Sequence, residues 1–150
     1  MNLELFLGCW RDRKKNDMGR VTERLGRSGE YFVASILCEV SDTVVVVPHG
    51  SEADIIFDYE DVLYKCQVKT KSKREKKHPN WRFDCRRGSH TKNRNFLPGQ
   101  VDLYAFFSRE YQNVVFMPFD ESKTQMIIDD DIMKKAEPLA SFYQCIKELN

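Results

Sequence analysis

The spacing of apolar residues predicts helical structure near the start of the chain. Residues 16–40 have a helical composition. Three glycines interrupt this stretch, so we expect two helical pieces: Gly19, Gly26 and Gly29. Ser28 is a suitable cap for the second piece, in which Glu30 then lies at the positive end of the helix, where the helix dipole favours a carboxylate. The buried face of that piece repeats at helical spacing: Val33, Ile36, Leu37 and Val40.

Short apolar and β-branched runs predict strands through the middle of the chain. The run 43–47 is closed by Pro48 and Gly50, and residues 53–71 predict a hairpin about a turn at 58–61. Further strands are expected at 81–87, 101–107, 114–118 and 126–128, and helical pieces at 130–136 and 139–149. This order of elements predicts an α/β fold with a mixed central β-sheet flanked by α-helices.

The predicted hairpin carries a polar face with candidate chemistry. Side chains alternate along a strand, so Gln67 and Lys69 point the same way, and pairing about the turn brings Asp54 towards them. An acid, an amide oxygen and an ammonium can together hold a divalent metal and a phosphate. Asp54 is a natural Mg²⁺ ligand, the Gln67 oxygen can occupy one coordination position, and Glu30 can bind directly or through water. Lys69 can orient water or neutralise developing charge.

Each of these signals has a plainer interpretation when taken alone. A Gln-Val-Lys triplet can be an ordinary solvent-facing alternation, Asp54 a turn or ion-pair residue, and Glu30 an acid at a helix start. His49 lies in the turn before Asp54 and is interpreted as a turn residue. The informative feature is the order: an acid in a helix, a strand, and then an acid and a QxK pair on one hairpin.

That order resembles the PD-(D/E)XK nuclease superfamily, which has a restriction-endonuclease-like core. The resemblance covers about residues 26–118 and rests on GRSGEYFVASIL with Glu30, GSEADIIFDYE with Asp54, and KCQVKTK with Gln67, Val68 and Lys69. The QVKT, VDLYAFF and VVFMP segments are similar to a branch of group I intron-encoded homing endonucleases. Archaeal Holliday-junction resolvases share the core order.

The resemblance implies a site and shows two departures from the family pattern. It implies that Glu30, Asp54, Gln67 and Lys69 are catalytic, and that Asp54, Gln67, the Val68 carbonyl and Glu30 bind Mg²⁺, with Mn²⁺ as an alternative. Ala53 replaces the usual proline, and Gln67 replaces an acid. Because an amide is a poorer Mg²⁺ ligand than a carboxylate, Gln67 leaves open one metal, two metals or a loss of activity.

Charge is distributed unevenly along the chain. Between Lys65 and Arg94 there are 12 Lys and Arg against Glu75 and Asp84, a balance of +10, so the remainder is −9 in a chain of net charge +1. Such a cationic segment suits a polyanion, and phosphate neutralisation supplies most non-specific affinity for nucleic acids. A solvated charged loop is the alternative.

Two groups of residues in this segment are candidates for DNA contacts. The first follows the active strand and is expected to meet phosphates: Lys71, Lys73, Arg74, Lys76 and Lys77. The second forms a ribbon that can enter a groove: Trp81, Arg82, Arg86 and Arg87. Because arginine can bind a guanine edge through two hydrogen bonds, the three arginines are the candidates for sequence readout. The alternative places Trp81 in the core and the arginines in solvent.

Chain length, hydropathy and cysteine spacing predict the domain count, the location and the state of the thiols. With 150 residues the chain is expected to be a single domain, with a core at about 26–118 and peripheral ends at 1–16 and 122–150. No apolar run is long enough to span a bilayer and no secretory signal is evident, so no membrane association and a cytoplasmic location are expected. The five scattered cysteines form no CxxC pair and predict free, mostly packed thiols.

Together these observations predict a Mg²⁺-dependent endonuclease acting on double-stranded DNA, in the manner of site-specific homing endonucleases. A Holliday-junction resolvase is the alternative within that class, and a non-catalytic DNA-binding module is the alternative outside it. One domain covers about one half-site, so we expect a homo-oligomer, a dimer or tetramer with two-fold symmetry. The apolar N-terminus and the C-terminal helix are candidate interfaces, the latter through Phe142, Tyr143, Ile146 and Leu149.

Overall fold

A computed structural model describes residues 18–88 and 91–150. In chain order, its elements are α1 (Met18–Leu37), β1 (Val44–Val46), β2 (Ile55–Tyr59), β3 (Val62–Lys71), β4 (Trp81–Asp84), β5 (Leu103–Ser108), β6 (Asn113–Pro118), β7 (Gln125–Ile128), α2 (Asp130–Lys135) and α3 (Pro138–Leu149). The order helix, strands and helices agrees with the sequence pattern. The role expected of residues 1–16 lies outside the described residues.

Five strands form a mixed central sheet in the order β1-β2-β3-β5-β6. Strands β3 and β5 run parallel, and the other neighbours are antiparallel. The β2–β3 turn consists of Glu60 and Asp61, both with positive φ, which is the two-residue turn that matches the twist of a hairpin. The predicted fold class, a mixed central sheet flanked by helices, is confirmed.

Strand β4 corrects the expected bounds 81–87, because it ends at Asp84, and it does not join the central sheet. It pairs with β7 in a separate two-stranded sheet, with Trp81 opposite Ile128 and Phe83 opposite Met126. We call this unit the β4–β7 ribbon. Its inward side chains pack on one face of the central sheet, where Tyr104 and Phe106 complete a second hydrophobic cluster.

The other face of the central sheet is covered by helices. Val33 and Leu37 of α1 are fully buried there, as the helical spacing predicted, and Phe142 of α3 belongs to the same cluster. The segment 122–150, expected to be peripheral, thus contributes to both clusters through β7 and α3. Phe142 and Ile146 are 0% and 5% exposed, which excludes these two as interface residues in this conformation.

The helical region corrects a second expectation. The chain from Met18 to Leu37 forms one helix that continues through the glycines, and Ser28 donates a hydrogen bond to the Leu25 carbonyl within it instead of capping a second piece. Glu30 therefore lies inside α1, and the helix-end dipole does not act on it. Gly29 is buried where the helix approaches β3, at Thr70.

Candidate active site

The candidate site lies at the open end of the β2–β3 hairpin. Asp54 immediately precedes β2, and its N–H donates to the Cys66 carbonyl at 3.0 Å, which extends the hairpin pairing by one residue. Asp54 Oδ2 accepts hydrogen bonds from the Val68 N–H, at 2.8 Å, and from Gln67 Nε2. The structure thus brings Asp54 and Gln67 together, as the predicted pairing of the hairpin strands indicated.

Burial controls the ionisation of the carboxylates. Loss of solvent raises the pKa of Asp54 to about 6, the nearby charge of Glu30 adds to this rise, and the Val68 N–H and Lys69 ammonium oppose it. Burial also raises the pKa of Glu30, against the effect of neighbouring cations. The two carboxylates therefore lie close enough to influence each other, although they belong to separate elements.

Lys69 projects from β3 on the same face as Gln67. Its Nζ donates to the Arg86 carbonyl at 2.6 Å and lies 5.6 Å from the centroid of the Phe96 ring. Burial lowers the pKa of Lys69, and the Asp54 carboxylate opposes that effect. With one hydrogen bond made, the ammonium retains donors for a ligand.

Asp54, Gln67 and Lys69 share a cleft of about 280 Å³, and Glu30 is not among the residues that line it. Its walls include Asp54, Gln67 and Lys69 together with Arg87, which the sequence placed among the DNA contacts. They also include residues that sequence reasoning left outside the site: His49, Glu52, Thr91 and Phe96. The closeness of His49 to Asp54 in sequence was a usable signal for the histidine. An aromatic residue within the polar stretch 88–100 was the corresponding signal for Phe96.

The oxygen atoms present suit a hard divalent cation. All hydrogen bonds that described residues make to the Asp54 side chain go to Oδ2, which leaves Oδ1 available. The Gln67 amide nitrogen donates to Asp54, and the Gln67 amide oxygen accepts no hydrogen bond from a described residue. Within residues 18–88 and 91–150 no cluster of three His, Cys, Asp or Glu side chains is found. A site with few protein ligands suits Mg²⁺, which keeps several waters and uses substrate phosphates. The cysteines at 66, 85 and 145 are buried, and with exposed Cys38 they are free thiols.

Three of the lysines expected to meet phosphates are exposed in the loop between β3 and β4: Lys73, Lys76 and Lys77. Lys71 is different, because its Nζ donates to the Arg82 carbonyl at 2.8 Å and pairs with Glu75. Lys71 thus ties the active strand to the β4–β7 ribbon. Arg74 is also engaged, with Nε 3.3 Å from Asp130 Oδ1.

Trp81 does not contribute to a DNA surface in this conformation. Its side chain is 0% exposed, and its Nε1 donates to Asp130 Oδ1 at 2.8 Å. Tyr111 donates to the same carboxylate at 3.0 Å. The prediction of a Trp81–DNA contact is therefore corrected: the inward face of the ribbon places the indole in the second hydrophobic cluster.

The three arginines proposed as base readers occupy different environments. Arg82 is half-buried on β4. Arg86 binds Asp84 through two hydrogen bonds, of 2.9 Å and 3.0 Å, and these hold the pKa of Asp84 at about 2. Arg87 lines the cleft.

The fold is similar to that of a solved homing endonuclease of bacterial origin. That protein is I-Ssp6803I; the TM-score is 0.66, and the similarity covers 85% of this chain and 95% of that chain. At 20% sequence identity the similarity establishes the fold alone. No protein-family model matches the sequence, and no curated protein matches it significantly.

Within the described part of the chain, no helix is long and apolar enough to cross a membrane.

Proposed function

We propose that this chain is a metal-dependent endonuclease that hydrolyses phosphodiester bonds in double-stranded DNA. More closely, we propose a site-specific homing endonuclease of the PD-(D/E)XK superfamily. The observation that carries the proposal is the single cleft in which Asp54, Gln67 and Lys69 meet. The fold similarity to a bacterial homing endonuclease and the cationic segment 65–94 support it.

The proposed metal ligands are the available carboxylate oxygen of Asp54, the Gln67 amide oxygen and the Val68 carbonyl, with Glu30 binding directly or through water. When bound, Mg²⁺ or Mn²⁺ supplies positive charge at a phosphate oxygen and acidifies water. Metal binding requires ionised Asp54 and therefore competes with protonation of this carboxylate, so the raised pKa of Asp54 weakens the binding as the pH falls.

Lys69 is the residue that acts on the water or the phosphate in the proposed hydrolytic step. Its free N–H donors are placed to orient a water molecule or to stabilise the charge that develops on the phosphate. The water oxygen forms a bond to phosphorus while the bond from phosphorus to the leaving oxygen breaks. The leaving oxygen keeps the electron pair and gains a proton, and the water-derived oxygen loses one, which gives a hydroxyl end and a phosphate end.

The proposed DNA surface joins this cleft to the exposed lysines of the following loop, Lys73, Lys76 and Lys77, and to Arg82 and Arg86. We further propose a homo-oligomer, a dimer or tetramer, since one domain of this size covers about one half-site. Light scattering on the purified chain measures this directly. A monomer at all concentrations, with and without DNA, would contradict the oligomer.

Cleavage of supercoiled plasmid in Mg²⁺ tests the proposed function. We expect Asp54→Ala and Lys69→Ala to lower the rate by at least about 100-fold. Asp58→Ala, on β2 four residues after Asp54, and Lys134→Ala, on α2, are matched controls that should stay within about threefold of wild type. Mn²⁺ and low salt serve as a second condition that relaxes sequence selectivity.

The outcomes separate the alternatives. Faster cleavage of a four-way junction than of linear duplex would favour a junction resolvase. If wild type, Asp54→Ala and Lys69→Ala all fail to cut while binding duplex with one salt dependence, the chain is a DNA-binding module and the enzyme proposal is wrong.

A further inference from the structure

Arg87 differs from the other arginines of the cationic segment. Its side chain lines the cleft that contains Asp54, Gln67 and Lys69. No described residue accepts a hydrogen bond from its guanidinium or forms an ion pair with it. The guanidinium groups of Arg86 and Arg94, by contrast, both donate hydrogen bonds to the Asp84 carboxylate. With respect to the described residues, the guanidinium of Arg87 thus keeps its donors available to the proposed reaction centre.

The backbone at Arg87 is held in place by Arg94. The Arg87 N–H donates to the Arg94 carbonyl at 2.6 Å, and Arg94 Nε and Nη2 each donate to the Arg87 carbonyl at 3.2 Å. Arg94 Nη2 also reaches Asp84 Oδ2, at 3.1 Å, which links the pair to the end of β4. These hydrogen bonds fix the backbone from which the Arg87 side chain extends.

One aromatic ring lies beside both cations of the cleft. Arg87 Cζ lies 6.0 Å and Lys69 Nζ 5.6 Å from the centroid of Phe96. The ring is only 7% exposed and contacts the Tyr104 ring edge-on, at 6.4 Å between centroids. Because the ring is itself packed, it can hold the two cations at a set separation by cation–π attraction.

The charges in the cleft indicate a role for Arg87 beside Lys69. Gln67 is neutral and binds Mg²⁺ less strongly than a carboxylate, so more of the negative charge that develops on the phosphate oxygens in the transition state is left for protein cations to stabilise. Lys69 already spends one donor on the Arg86 carbonyl. A guanidinium binds two phosphate oxygens at once, which an ammonium cannot match.

We infer that Arg87 is a catalytic residue that binds the scissile phosphate, and that Phe96 is the positioning residue that holds Arg87 and Lys69 in the cleft. This inference rests on the proposed nuclease function. It reassigns Arg87 from reading bases to stabilising the reacting phosphate.

Single-turnover cleavage of a duplex that the wild type cuts tests the inference. Arg87→Met keeps a long unbranched side chain beside Phe96 and removes the guanidinium donors, and we expect its maximal rate to fall by about 100-fold. Duplex affinity measured in Ca²⁺, which permits binding without cleavage, should change by less than about fivefold. Arg87→Lys should recover only a small part of the rate, and added guanidinium at low concentration should accelerate Arg87→Met but not Lys69→Ala.

Two controls separate chemistry from structure. Arg109→Ala, at the exposed turn after β5, should leave the rate unchanged. Phe96→Leu should lower the maximal rate. Phe96→Tyr, which keeps a ring, should retain most of the wild-type rate when the two variants have equal thermal stability.

The outcomes distinguish the two levels of the proposal. A wild type that cuts no DNA would overturn both the proposed function and this inference. If the wild type cuts and Arg87→Met retains a rate within about threefold, or changes only the preference among base-substituted targets, the inference alone is overturned.

Discussion

Asp54 is subject to two opposing requirements. Metal binding requires its ionised form, and burial disfavours that form, as the rise of its pKa from 3.8 to about 6 indicates. The resulting loss of folding stability is absent well below pH 3.8, grows as the pH rises towards about 6, and is fully present at higher pH. In the metal-free protein, such a shift corresponds to a destabilisation of about 3 kcal/mol.

We therefore expect Asp54→Asn to raise the free energy of unfolding at about pH 7.5 in EDTA, by about 1–3 kcal/mol, while abolishing cleavage. Asparagine keeps an acceptor for the Val68 N–H and removes the charge. Urea unfolding at several pH values measures the effect, and the advantage of the variant should shrink towards about pH 4. Asp58→Asn is the control, with an expected change below about 0.5 kcal/mol. A variant less stable than wild type at neutral pH would contradict the assignment.

Gln67 is the second residue whose chemistry can be isolated. Gln67→Glu adds a ligand charge and places two carboxylates together, so we expect half-maximal cleavage at a lower Mg²⁺ concentration and a changed ratio of Mg²⁺ to Mn²⁺ rates. Titration of both metals with a fixed duplex measures this. Unchanged kinetics with both metals would show that Gln67 does not contact the metal.

At the scale of elements, the approach of α1 to β3 depends on a missing side chain. A Cβ at Gly29 would clash with Thr70 Oγ1 and would lie 3.1 Å from the Phe107 ring, while a Cβ at Gly26 would meet nothing within 4 Å. The helix that carries Glu30 can thus come close to the strand that carries Gln67 and Lys69. Glycine at position 29, which favoured a helix break on propensity, serves packing instead.

We expect Gly29→Ala to lower the free energy of unfolding by about 1–3 kcal/mol, because the clash involves a packed strand. Gly26→Ala is the matched control and should be neutral or stabilising by up to about 1 kcal/mol, since alanine favours a helix. Thr70→Ala removes the clashing hydroxyl, so the double variant Gly29→Ala/Thr70→Ala should recover part of the loss. Strictly additive losses in denaturant unfolding would argue against this contact.

The β4–β7 ribbon shows the same dependence on long-range contacts. The Asp130 carboxylate at the start of α2 accepts from the Trp81 indole and the Tyr111 hydroxyl. On the other side, Lys71 joins the ribbon to β3 through the Arg82 carbonyl. These links hold the ribbon over the central sheet, next to the candidate site.

At the scale of the whole molecule, the cationic segment should dominate the salt dependence of DNA binding. Neutralising Lys73, Lys76 and Lys77 together should reduce the slope of log affinity against log salt by up to about 2–3. Anisotropy of a labelled duplex in Ca²⁺ over a range of salt concentrations measures the slope. A triple substitution of Lys134, Lys135 and Lys147, on the C-terminal helices, is the charge-matched control and should leave the slope unchanged. Equal effects of both triples would place the DNA elsewhere.

The sequence by itself determined the elements and their class. Local patterns sufficed for most of the buried face of α1, for the hairpin, for the apolar strands β5 and β6, and for the alternation that aligns Gln67 with Lys69, because periodicity acts over short distances. The turn expected at 58–61 is in fact the two residues Glu60 and Asp61. Only the tertiary structure decided that α1 runs through its glycines, that Trp81 is buried, and that Arg87, His49 and Phe96 line the cleft. These features depend on contacts between residues distant in sequence, which no local pattern encodes.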